Sequence, residues 1–107
     1  MIEKIYNFTK TDSKVVERLI EDDNVGINHM VLRKGELLPE HFSNSHVYVV
    51  VVRGAVSLKL GEQDEHRCPA GSIVNVPYNI KMNVSNKDDE VLEFFVVKAP
   101  SPKNFKP

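Results

Sequence analysis

The chain has 107 residues, 41% of them hydrophobic, with 14 Lys and Arg against 15 Asp and Glu. That is the size of one domain able to bury a core, and a net charge of −1 offers no general attraction to nucleic acid or an anionic membrane. No apolar run approaches the ~18 residues of a membrane span, the start Met1-Ile2-Glu3-Lys4 is acidic and apolar too early for a secretory leader, and a lone cysteine, Cys68, excludes an internal disulfide and a Cys-rich zinc site; the expectation is a cytoplasmic protein.

Met1 to Tyr6 alternates apolar and polar residues and could add a strand at a subunit interface. Val15, Val16, Leu19 and Ile20 fit one helical face, and Thr11-Asp12-Ser13 could cap it. The same residues suit an edge strand, and six residues of periodicity do not decide between the two; the reading leans to strand. Glu21-Asp22-Asp23 reads as a solvated turn. Val25 to Arg33 is a strand ended by Lys34-Gly35. Val47 to Val52 is β-branched and aromatic throughout, as a buried strand demands, and Gly54 ends it. Ala55 to Leu60 alternates, with Val56, Leu58 and Leu60 on one face. Gly61 to Asp64 is a polar turn that leaves His66 near solvent. Ser72 to Pro77, Lys81 to Ser85 and Val91 to Val97 complete the strand list. Turn signals about every ten residues are the spacing of an all-β sandwich or barrel. Residues 14–98 form the expected barrel, and the Pro-rich tail 99–107 is expected as a surface strap or disorder.

Two spacings carry a resemblance. Gly35 is followed by five residues and His41; Ser43, Val47 and Gly54 continue the series. Later, Gly71 is followed by five residues and Pro77, then Asn79, Met82 and Asn86. This pattern resembles the two motifs of the cupin superfamily, with Gly35, His41, Gly54, Gly71, Pro77 and Asn86 in register. The resemblance implies a jelly-roll β-barrel (a double-stranded β-helix) of about eight to ten short strands with little helix. Each anchor has a physical reason. Gly35, Gly54 and Gly71 suit positive φ. Pro77 pre-sets a turn. Asn79 replaces a family glycine and is the next-best residue for a left-handed position.

The resemblance also implies a cage of three His and one Glu for a metal ion. Here His41 stands at the first position, Ser43 at the second, Val47 at the Glu position and Met82 at the last. A divalent ion wants imidazole and carboxylate together, so no metal cofactor is expected. His46 points away from Val47 in a strand. His29 could enter the pocket from an earlier strand. His41 with Met82 could hold a cuprous ion, but the stronger reading is an apolar pocket wall, with His41 hydrogen-bonded to Ser43 or water. Val47, Val49 and Val51 should face the cavity, and Tyr48, Val50 and Val52 should face outward. Cys68 reads as a small buried thiol at a strand start, and Lys81, Lys98, Lys103 and Lys106 as ordinary surface lysines.

Fold does not dictate function. The leading expectation is a metal-free domain that binds an unknown small molecule, with a site built from His41, Ser43, Val47, Val49 and Met82. His41 is the best single catalytic candidate if the protein is instead an isomerase- or lyase-like enzyme, or one that uses a metal in a rebuilt site. The third option is a structural domain whose barrel is filled by side chains. The valine run is apolar on both faces, and small proteins resembling this family commonly pair through a sheet face, so a homodimer is the expected assembly. No nucleic-acid or membrane partner is expected.

Overall fold

The computed structural model describes residues 1–106. Among the described residues nine strands follow one another: β1 (Val15–Glu21), β2 (Gly26–Leu32), β3 (His41–Phe42), β4 (Val47–Arg53), β5 (Ala55–Leu60), β6 (His66–Pro69), β7 (Ile73–Val76), β8 (Lys81–Ser85) and β9 (Leu92–Lys98). They form two antiparallel sheets, β1-β2-β9-β4-β7 and β3-β8-β5-β6. The ambiguous segment after Ser13 is a strand. It lies at a sheet edge and pairs with β2 through a register shift between Arg18 and Ile20.

Strand periodicity sorts the side chains. Val47, Val49 and Val51 of β4 are buried between the sheets, together with Met30, Leu32, Val56, Leu58, Val76, Met82, Val84, Leu92 and Phe94. Their neighbours point outward: Tyr48 is 39% exposed and Val52 48% exposed. Clustered in this way, the inward side chains supply the main apolar burial of the fold.

The expected anchors do their work at turns. Gly35, Gly54 and Gly71 have φ of +82°, +73° and +94°, and Asn79 has φ of +62°. At Gly54 a Cβ would lie 2.4 Å from the Val91 carbonyl oxygen, so β4 could not turn into β5 there with any other residue in place. Asn86 is fully buried. Its amide donates to the Leu32 and Glu90 carbonyls, both at 2.9 Å, and its side-chain oxygen accepts from the Asp88 N–H. It therefore ties the end of β2 to the turn after β8.

Two segments depart from the sequence reading. Met1 to Tyr6 forms no strand. The chain just beyond it lies over the outer face of the five-stranded sheet: Phe8 packs on His29 and Phe95, Thr9 donates to Glu17, and Asp12 accepts from Arg53. The tail is not a plain extended strap. It makes a short 3-10 turn over Pro102–Asn104, and Phe105 packs against His46 and Tyr78. The final residue of the tail lies outside the described residues.

Candidate functional site

The cavity sits between the sheets, toward the end where β3 and β8 meet. His41 and Met82 are register partners there. Both line an inner chamber of about 50 Å³ with Ser43, Val47 and Val49. All five sequence-picked residues thus surround one space. Met30, Leu38, Val84, Phe94 and Val96 complete its apolar wall. The chamber is small, with room for a few heavy atoms, against roughly 300–1,000 Å³ for a drug-sized ligand pocket. The barrel is therefore mostly, but not completely, filled by side chains.

The polar members have different duties. The Ser43 hydroxyl donates to the Pro77 carbonyl at 2.6 Å and accepts from the Ile80 N–H at 2.8 Å. The Ser43 backbone also bonds to Ile80 and Asn79. Ser43 thus staples the turn that carries Asn79, and its hydroxyl proton is already committed. The expected His41–Ser43 bond does not form. Instead His41 Nδ1 lies 3.0 Å from the Pro39 carbonyl oxygen. A carbonyl can only accept, so Nδ1 carries the proton and Nε2 is free for another partner.

His29 does not join His41. It lies on the opposite face of β2, fully buried, with Nδ1 2.7 Å from Glu17 and Nε2 2.6 Å from Glu93. The period-two rule explains this: Asn28 and Met30 face the chamber, so His29 cannot. The Thr9 N–H and then His29 hold the Glu17 carboxyl below its ordinary value. His46 is exposed and packs on Phe105, away from the chamber. His66 is exposed on β6. Cys68, inside the same short strand, is half-buried, and burial pushes its thiol up, away from the reactive thiolate.

Three lining residues had no signal in the sequence: Asn28, Asn44 and Lys98. Lys98 is not the ordinary surface lysine expected. It follows Leu92, Phe94 and Val96 on the inward face of β9, between Gly26 and Val47 in register. Lys98 is half-buried, and burial first, then the nearby Arg18, pushes its amine down from the usual lysine range; Glu21 opposes this. Only inward parity at the end of β9 could have flagged it.

At the four positions where the sequence resemblance implies a cage, the donors are one imidazole nitrogen, one thioether and a hydroxyl whose proton is spent; Val47 offers none. Among the described residues no group of three His, Cys, Asp or Glu side chains is placed to hold a metal ion.

Two antiparallel sheets packed face to face, with a cavity between them lined from β3, β4, β8 and β9, define a double-stranded β-helix protein. No family model matches the chain. A relative does: the uncharacterized protein MJ0764 of Methanocaldococcus jannaschii is 48% identical over 104 residues, covering 96% of this chain and 90% of the relative. The crystal structure of MJ0764, described as an RmlC-like cupin family protein with a double-stranded β-helix fold, superposes with a TM-score of 0.94 over 96% of this chain and 95% of that one. This chain belongs to the RmlC-like cupin family. A cupin superfamily protein from Desulfitobacterium hafniense matches at TM-score 0.73, 13% identity and coverage of 88% and 84%. A conserved protein of unknown function from Streptococcus pyogenes matches at 0.72, 19% identity and coverage of 85% and 77%. At such identities these two share the fold alone. No helix among the described residues is long and apolar enough to cross a membrane.

Proposed function

We propose that this cupin-domain protein binds a small, partly apolar organic molecule in its barrel, without a metal. The observation that carries the reading is the chamber itself. It has an apolar wall of Met30, Val47, Val49, Met82, Phe94 and Val96, and a polar rim of Asn28, His41, Asn44 and Lys98. Apolar walls with a few converging polar groups are the usual build of a ligand site. The donor set argues for the metal-free form, because a hard or borderline divalent ion gains too little from one imidazole and one thioether. A panel of small metabolites in EDTA tests it by thermal shift. At least one compound should raise the melting temperature of the wild type and lose its effect in Val49→Leu, which narrows the chamber. No stabilisation by any compound would count against the reading.

A second reading rests on His41. Its Nδ1–H, anchored on Pro39, leaves Nε2 at the chamber edge as a base for proton transfer. Turnover by such an enzyme should vanish in His41→Ala.

We also propose that the outer face of the five-stranded sheet pairs two copies of the chain. Tyr48, Val52 and Ile73 are exposed there, and Ile73 is the register partner of Val50. Neighbouring apolar side chains on one sheet face favour such pairing.

A further inference from the structure

The polar rim of the inner chamber is shared. A second cavity of about 80 Å³ adjoins it, lined by Arg18, Ile20, Glu21, Gly26 and Pro102 together with Asn28, Asn44 and Lys98. The last three residues therefore form the common wall of an apolar chamber and a polar vestibule. Two cations, Lys98 and Arg18, meet one carboxylate there. That carboxylate, Glu21, lies 3.9 Å from Arg18 and within 4 Å of no other cation among the described residues. Lys98 makes no ion pair with any described residue.

We propose that chamber and vestibule are one site for a short-chain aliphatic carboxylate. Its carboxylate lies at Lys98 Nζ, beside the Asn28 and Asn44 amides and facing Arg18, and its hydrocarbon end of two or three carbons fills the chamber. This rests on the small-molecule reading above and names its ligand class. Three physical points carry it. A half-buried ammonium without a counter-charge is costly, and a bound carboxylate would relieve that cost. Asparagine amides donate hydrogen bonds to the same oxygens. The chamber has room for a short hydrocarbon end and no carboxylate of its own.

The charge balance also sets a pH dependence. The groups facing Lys98 are Arg18 and Glu21 from β1 and the cavity-lining His41 from β3; Gly26 and Asn28 of β2 and Val47 of β4 carry no charge. A bound anion raises the lysine pKa, so binding is strongest with the amine charged and falls as pH rises through its free-state value.

Butyrate and its neutral isostere butyramide are the probes, titrated into the full-length protein and followed by amide and methyl NMR shifts of Val47, Val49 and Met82. Butyrate should bind at least tenfold more tightly than butyramide in the wild type. Lys98→Gln should remove that preference, and Lys98→Arg should keep most of it. The wild-type comparison stands even if a variant fails to fold. Equal binding of the two probes would overturn the carboxylate assignment and leave the chamber reading in place. No shift of the chamber resonances with either probe would overturn both.

Discussion

The Ser43 hydroxyl bridges the carbonyl of Pro77 and the N–H of Ile80, at 2.6 and 2.8 Å. A residue that lines the cavity is thus a structural staple for the turn that holds Asn79 at φ +62°. Replacing Ser43 by Ala should remove two part-buried hydrogen bonds, a cost of about 1–3 kcal/mol at roughly 0.5–1.5 kcal/mol each. Chemical denaturation should record that loss, while binding in the chamber should change less than threefold. A loss of binding with unchanged stability would assign Ser43 to the ligand instead.

Gly54 and Gly35 both hold positive φ, but their surroundings differ. A Cβ at Gly54 meets the Val91 carbonyl oxygen at 2.4 Å, and one at Gly35 meets nothing within 4 Å. Gly35→Ala should cost about 1 kcal/mol, the backbone term alone. Gly54→Ala should cost clearly more, since β9 must shift. Equal denaturation midpoints for the two variants would contradict this account of the β4–β5 turn.

The carboxylate of Glu17 accepts from Thr9 and from His29 beneath Phe8, and its pKa is lowered. The sign follows from linkage. A carboxyl with a lowered folded pKa contributes stability above its ordinary value near 4.5, and that contribution is lost as pH falls through the lowered value. Glu17→Gln should therefore flatten the fall of stability below about pH 4.5. Denaturation midpoints measured from neutral pH to about pH 3 will show it. An unchanged acid slope would mean that the N-terminal segment contributes nothing through this contact.

Ile73 is 67% exposed at the edge strand β7, beside Val50. If the outer face pairs two copies, Ile73→Lys with Val52→Lys should move the protein from dimer to monomer in sedimentation, without loss of fold. A wild type that sediments as a monomer at every concentration would refute the pairing.

Much of the fold was legible because the relevant signals are local. Val47 to Val52 and Ala55 to Leu60 announce strands by composition and period. Gly54 and Asn79 announce turns that only their backbone freedom allows. The two-residue β3 and the polar β6 were not legible, since neither buries enough to leave a pattern. In the site, the motif spacing brought His41, Ser43, Val47, Val49 and Met82 to one cavity. It could not show that His41 would turn to the Pro39 carbonyl, because that bond depends on a local loop geometry. Nor could it show Lys98, whose inward position follows from where β9 ends rather than from its neighbours in sequence. The facing of His29, open in the sequence, follows from the frame of β2, which turns Asn28 and Met30 to the chamber and His29 away.

The central claim is that this cupin barrel works without a metal, and metal content tests it most directly. The untagged protein, loaded with zinc, iron, nickel and manganese and then desalted, is analysed by elemental mass spectrometry beside His41→Ala. The account predicts no metal above background in either protein. A stoichiometric metal in the wild type that falls in His41→Ala would contradict it and return the barrel to metal chemistry.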